Sequence, residues 1–281
     1  MKTTPRPAAR LILVRALIVV LSLLAVLALL AAVFREQVAE GVVWLMAALP
    51  VTTPPPPTIL AARDALPQGP VGLHQWIQAP GGEYMSVETS GFLLKLPSGA
   101  IIGVTTAHSL FLGNPDRRLA RVALGVNGQI APLAVADTYY GPPGVPFTGN
   151  DFAADYVLLK VGAVDSAFAL TPDPRGLPQP GERVTLFSGL GDGLGGAYPL
   201  SGTVLSAEAT GVFIYMDEPN FNPAGMSGSP VFSQYTGQVV GMTIAASLRH
   251  ARWVIGLHPI GHLVQLAEAA REFLPIADYQ R

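Results

Sequence analysis

The chain contains no cysteine. That excludes disulfides, a thiolate nucleophile and a cysteine-based metal site. It also lacks a charge excess: 17 Lys and Arg stand against 19 Asp and Glu, and no long run of one sign occurs. A near-neutral chain offers no electrostatic footing for nucleic acid, so no nucleic-acid partner is expected. No internal repeat is visible, and no His/Asp/Glu cluster has metal-ligand spacing, so neither a solenoid nor a metal or other cofactor is expected. What is abundant is apolar residue, half of the 281. A chain of that length and composition can bury a core without staples.

Part of that apolar content is concentrated near the N-terminus. Residues 16–34 carry no charge and a single polar residue, Ser22. About 20 such residues suffice to cross a bilayer core as a helix. Lys2, Arg6, Arg10 and Arg15 precede the run, and Arg35, Glu36 and Glu40 follow it. The cationic side stays in the cytoplasm, so the remainder is expected outside the membrane. A cleaved signal peptide is the competing reading. The apolar run exceeds the usual signal core, and Ala39-Glu40-Gly41 lies beyond a charged patch, so an uncleaved single-pass anchor is favoured. Residues 42–49, with Trp44 and Met46, are too few to span; they either suit the interface or extend the first helix. Pro54-Pro55-Pro56-Pro57 then reads as a stiff, extended spacer. The expected organisation is an anchor over 1–49, a stalk over 50–70 and a folded domain over 71–281.

From Val71 the chain turns to short β-like runs separated by Gly, Pro and Asn. Gly91 to Leu96 and Ile101 to Val104 flank Pro97-Ser98-Gly99, a hairpin signature. Further strands are predicted over 121–126, 130–136, 156–161, 183–187, 202–207, 211–216, 231–232, 238–245 and 253–257. Many short strands at this spacing predict an antiparallel all-β barrel or sandwich. Pro172, Pro174, Pro178 and Pro180 mark residues 163–180 as a linker between two lobes. Leu263, Leu266, Ala267, Ala270, Phe273 and Leu274 recur at helical spacing, which predicts a C-terminal helix over 261–274 packed on the second lobe.

Three segments carry chemistry. Gly225-Met226-Ser227-Gly228-Ser229-Pro230 sets a small serine between glycines on a tight turn, where backbone amides can approach a carbonyl. A serine hydroxyl is a weak nucleophile and needs a base. Gly103 to Leu110 reads as a strand ending in His108, and Asp155 opens the apolar run of residues 156–161. Asp151 is the rival acid and is expected to cap the Gly149-Asn150 turn. Of the other histidines, His74 has no strand leading into it and is expected to be structural; His250 and His262 are expected to be solvated.

The segments "TTAHSL", "DYVLLKV" and "GMSGSPVF", in the order His, Asp, Ser, resemble the trypsin-like (chymotrypsin-fold) serine peptidases. Gly237-Gln238-Val239-Val240-Gly241-Met242 is similar to the strand after the serine in bacterial HtrA-type members. The resemblance runs from about Ser90 to about Leu266, and nothing after the C-terminal helix could be an appended PDZ domain. It implies two antiparallel six-stranded β-barrels, barrel one over about 71–162 and barrel two over about 181–260, with the catalytic groups between them. It implies Ser227 as nucleophile, His108 as general base, Asp155 as its orienter, and the Gly225 and Ser227 amides as an oxyanion hole. It also implies a polypeptide substrate whose backbone pairs along Thr243, Ile244 and Ala245, with residues 221–224 as one pocket wall. His258 falls where the family's later strand borders that pocket; it either touches substrate or is a hydrogen-bonded structural histidine. Digestive-type relatives carry an aspartate before the nucleophile that pairs with a newly cut N-terminal ammonium. Met226 stands there, so the resemblance implies an oxyanion turn ordered by local packing or a partner.

Two other motifs fail on context. Gly191-Asp192-Gly193-Leu194-Gly195-Gly196 matches G-x-G-x-x-G, but Ala197-Tyr198-Pro199 cannot open the helix that a dinucleotide site requires. The α/β-hydrolase elbow ends in glycine where this chain has Ser229, and its triad order differs. A membrane-anchored serine endopeptidase is therefore expected. The alternative is a catalytically weak trypsin-like fold serving as a binding or chaperone-like module.

Overall fold

The computed structural model describes residues 20–22, 66–67, 71–110, 118–129, 131–147, 151–190 and 199–279. Residues 1–51 form one compact unit and residues 52–281 another. In the first, residues 20–22 are helical. The rest of the expected anchor, the stalk apart from residues 66–67, and the Gly191–Gly196 loop lie outside the described residues. Among the described residues, no helix is long and apolar enough to cross a membrane.

The second unit is all-β with two lobes. The first lobe holds β1 (Leu73–Gln78), β2 (Tyr84–Lys95), β3 (Ile101–Thr105), β4 (Arg121–Gly125), β5 (Ala134–Ala136), β6 (Thr138–Gly141), β7 (Val157–Lys160) and β8 (Ala169–Leu170). The second holds β9 (Arg183–Phe187), β10 (Pro199–Glu208), β11 (Gly211–Met216), β12 (Pro230–Ser233), β13 (Val239–Arg249) and β14 (Arg252–Pro259), followed by α1 (Ile260–Ala269) and β15 (Glu272–Pro275). The second lobe is the expected closed six-stranded barrel, in the order β10-β11-β14-β13-β12-β9. The first is not. Its sheet runs β15-β6-β7-β3-β2-β1-β4-β5 with β8 on β2, so β5 and β6 lie at opposite ends, β5 as one edge and β6 next to the other edge strand, β15, although only Asp137 separates them in sequence.

Alternation along the strands sorts side chains between cores, because successive residues of a strand point to opposite faces. Phe92, Leu94, Ile102, Val104 and Leu158 enter a core that also takes Phe232, Val239, Met242 and Ile244 from the second lobe. Their neighbours Leu93, Val157 and Leu159 fill the interior of the first lobe with Leu73, Ile77 and Leu124. Val184, Leu186, Val231, Val240, Ile255 and Leu257 fill the second barrel. Strands with both faces covered read as continuous apolar runs, which is why residues 91–94 are buried without a break. The middle core glues the lobes together, so groups from both can be held in fixed register.

The C-terminal segment departs from the expected helix. α1 stops at Ala269, and Arg271 Nη1 donates to the Glu268 and Ala270 carbonyls at 3.0 and 3.2 Å, satisfying helix-end acceptors. Phe273 and Leu274 instead lie in β15, which pairs antiparallel with β6 of the first lobe. Phe273 packs edge-on against Tyr140 at 5.0 Å and lies under Lys160 Nζ at 4.1 Å. Sheet pairing and these ring contacts outweigh the local helical spacing. Nor does α1 pack on the second lobe alone: Ile260, Leu263 and Ala267 enter the core shared by both lobes.

The linker is held by charge. Arg175 joins two buried carboxylates, Asp173 through Nη2 at 2.6 Å and Glu182 through the same atom at 2.8 Å. Asp173 also accepts from Thr236 Oγ1 at 2.8 Å, and Glu182 from Ser233 Oγ. The buried acids thus each have charged and hydroxyl partners for their oxygens. They fasten residues 173–182 to the second barrel.

Candidate active site

His108 opens a 3-10 turn, His108–Leu110, directly after β3. Asp155 follows another, Phe152–Ala154, and leads into β7. Asp151 caps that following turn by accepting from the Ala153 amide at 3.0 Å; the Gly149-Asn150 turn that it was expected to cap lies outside the described residues. Because β3 and β7 are neighbours, pairing Thr105 with Val157, the two turns meet at one end of the sheet.

There Asp155 is fully buried and accepts four hydrogen bonds. Oδ1 takes the Ala107 and His108 amides at 2.6 and 3.1 Å. Oδ2 takes His108 Nδ1 at 2.6 Å and the Phe147 amide at 2.8 Å. Burial pushes the carboxyl's pKa up, but the His108 ring and the amides of Phe147 and His108 outweigh it and hold it below the ordinary value. The Phe147 contact was not legible in the sequence. Residues 144–147 run beside 154–156, with Gly144 N bonded to Tyr156 O at 3.0 Å and Val145 N to Ala154 O at 2.8 Å. The Phe147 ring stacks on Phe152 at 4.4 Å, and Phe152 in turn meets Phe213 of the second lobe.

The serine turn comes from the second lobe and docks on the first. Gly228 N donates to Thr243 O at 2.8 Å, and Ser229 N to Met226 O at 2.9 Å. Gly225 and Gly228 adopt φ of +80° and +85°, where a side chain is strained. Space is closed too. A methyl on Gly228 would stand 1.9 Å from the Ser90 carbonyl oxygen and 3.3 Å from Thr105 Oγ1; one on Gly225 would stand 2.3 Å from Leu190 Cδ1. Gly228 is therefore demanded by the approach of the two lobes, and Gly225 by its own lobe's Leu190 together with the first lobe's Glu88 carbonyl, 3.0 Å from where its methyl would stand. Ser227 Oγ donates to the Ile244 carbonyl at 3.2 Å. Among the described residues, neither the Gly225 nor the Ser227 amide donates a hydrogen bond.

The other singled-out residues divide. Thr243 bonds the serine turn with both its amide, to Ser229 O at 2.9 Å, and its carbonyl, so it is not free to pair with a substrate backbone. Ile244 sits at a bulge of β13 against β14, and Ala245 beyond it pairs only with Gly256 of β14. His258 has no exposed surface. It bonds His262 at 3.0 Å and meets the Tyr156 ring edge-on at 5.5 Å, the contacts that its structural reading calls for. Burial, helped by the neighbouring His262, pushes His258 down to about 3, against weaker pulls from the Asp155 carbonyl and carboxylate. His262 is thus a partner of His258 and is partly buried. The i, i+4 spacing of 258 and 262 across the start of α1 was the available signal. His74 lies in β1 and bonds Ser86 at 2.7 Å, while His250 is exposed in the β13–β14 turn.

Residues 89–242 match the model of the trypsin-like peptidase domain, more than half of the chain, and the match takes in His108, Asp155 and Ser227. No curated protein matches. Among solved structures, the chain is similar to a thermostable serine protease, AL20, from an extremophilic microorganism, with 15% identity and a TM-score of 0.46 over 72% of this chain and 97% of that one. It is also similar to kallikrein-related peptidase 10 in complex with Zn2+, with 17% identity and a TM-score of 0.46 over 72% and 95%.

Proposed function

Since the chain belongs to the trypsin-like peptidase domain family, we propose that it is a serine endopeptidase acting through Ser227, His108 and Asp155. The observation that carries this reading is the buried Asp155 carboxylate bonded at 2.6 Å to Nδ1 of a His108 whose side chain remains 33% exposed. A carboxylate on Nδ1 selects the tautomer with Nε2 free to take a proton. Ser227 Oγ leaves the Ile244 carbonyl, gives its proton to His108 Nε2 and attacks the scissile carbonyl. The carbonyl oxygen takes the negative charge and is bound by the Gly225 and Ser227 amides. His108 then protonates the leaving amine, the acyl-enzyme forms, and water repeats the sequence to release the acid. The alternative, a binding module with little hydrolysis, gains no support from the four hydrogen bonds on Asp155, which a mere binding surface does not need. A fluorophosphonate probe separates the two: a peptidase is labelled at Ser227, and an unlabelled, folded chain favours the module.

Selectivity follows from the walls. The Phe221 ring packs against Trp253 at 5.8 Å, within an apolar cluster that includes Met226, Ile255 and Leu257. None of residues 221–224 or 243–245 is charged. A charged side chain buried there would lack a partner, at a cost of several kcal/mol, on the order of 3–5. Cleavage is expected after small or apolar residues. A peptide library cut strictly after Arg or Lys overturns this.

The domain is proposed to act outside the cytoplasmic membrane, anchored by residues 16–34. The sequence pattern that supports this is an uncharged run preceded by four basic residues. Protease added to spheroplasts should digest the domain. Digestion only after lysis reverses the orientation.

A further inference from the structure

Ser90 belongs to the first lobe, yet its amide and hydroxyl both bond the second. It closes the bulge of β2 against β1 between Ser86 and Ser90, and it has no exposed surface. Its amide donates to the Ser227 carbonyl at 2.9 Å. Its hydroxyl accepts from the Gly189 amide at 3.0 Å and donates to the Gly225 carbonyl at 2.9 Å. Its own carbonyl accepts from Thr105 Oγ1 at 3.1 Å, on the strand that leads to His108.

A trans peptide points its C=O and N–H in opposite directions, so fixing one fixes the other. The peptide between Gly225 and Met226 is held on both sides: its carbonyl by Ser90 Oγ, its N–H by the Pro223 carbonyl at 3.2 Å. The next has its carbonyl on the Ser229 amide at 2.9 Å, which turns the Ser227 N–H the other way. The third has its carbonyl on the Ser90 amide. Three successive peptides are thus oriented, the first and last by one residue. Of the two unbonded amides of the turn, that of Ser227 belongs to the middle peptide, between the two that Ser90 holds, and that of Gly225 to the peptide just before the first.

We infer that Ser90 is the positioning residue of the oxyanion turn, a buried hydroxyl and amide from the first lobe that aim the Gly225 and Ser227 amides at one point. The inference rests on the serine-peptidase reading. It explains how a turn with a buried, uncharged Met226 before the serine is ordered: a neutral relay, Gly189 N–H to Ser90 O–H to Gly225 O, holds it. No ammonium is required, so ordering does not wait on N-terminal processing.

Ser90→Ala in the full-length chain removes the relay but leaves the Ser90 amide. Donors displaced from the developing charge lose transition-state binding without losing ground-state binding. Per active site titrated with fluorophosphonate, kcat is expected to fall about 10- to 100-fold, with KM within about 2-fold. The affinity for a peptide aldehyde, whose adduct oxygen sits where the charge develops, should fall in step with kcat. Ser90→Thr, which keeps the hydroxyl, should recover most of both. If Ser90→Ala does not fold, Ser90→Cys, a feeble donor of similar bulk, carries the same comparison. A wild type that neither hydrolyses nor labels sinks the peptidase reading, and this inference with it. An active wild type beside an Ala or Cys variant with unchanged kcat and aldehyde affinity, or with raised KM alone, sinks the inference and leaves the reading standing.

Discussion

Ser227→Ala should lower kcat on the order of 10⁶-fold and abolish fluorophosphonate labelling, with the unfolding transition nearly unmoved. Ser227 Oγ makes one hydrogen bond, as a donor to the Ile244 carbonyl at 3.2 Å, so its loss should change stability by no more than about 1 kcal/mol. The turn keeps its shape because the carbonyls of Gly225, Met226 and Ser227 are bonded by Ser90 Oγ, Ser229 N and Ser90 N, none of which involves the hydroxyl. His108→Ala should be about as inactive, and the double variant no worse, since nucleophile and base act as a unit. Residual hydrolysis at the wild-type rate in a purified Ser227→Ala preparation rules Ser227 out as nucleophile.

Asp155→Asn should cost about 10⁴-fold in kcat. The carboxylate accepts from three amides and from His108 Nδ1. Asparagine has one acceptor oxygen, so its NH₂ must face either the Ala107 and His108 amides or His108 Nδ1 and Phe147. In the second arrangement, the amide donates to Nδ1 and forces the proton onto Nε2, where it blocks the base. In the first, two buried amide donors face its NH₂, and in the second the Phe147 amide does, so stability falls as well. Either way the pH dependence of stability changes. Asp155's folded pKa lies below the unfolded one, so its contribution is complete above about pH 4 and is lost as the pH falls through the lower folded value. The variant should lack that part of the acid loss. His258 supplies another part in both proteins: neutral when folded down to about pH 3, it gains a proton on unfolding below about pH 6.5. Urea unfolding from pH 3 to 7 should therefore show the wild type losing stability in two windows and Asp155→Asn in the upper one only. Parallel curves throughout would mean that Asp155 is not held ionised by its partners.

By itself the sequence determined what depends on near neighbours. The strands of the second barrel follow from apolar alternation bounded by Gly and Pro, and β12 to β14 form within two residues of the expected bounds at their starts. The chemistry-bearing residues were legible because each sits in its own short segment: a histidine closing a strand, an acid opening one, a serine between glycines whose positive φ only glycine tolerates. The tertiary structure decided whatever joins distant residues. Ser90 and Gly225 are 135 positions apart, and nothing in "TSGF" says that the serine's hydroxyl bonds the second lobe. Phe147 donates a main-chain amide to Asp155, and a backbone donor leaves no trace in residue type. Phe273 and Leu274 carried helical spacing and became a strand, because an open edge of the first lobe was there to receive them. Local pattern specifies the faces of each element; which faces and which backbone groups meet is set by packing the two lobes on a shared core, and the serine turn takes its shape at that junction.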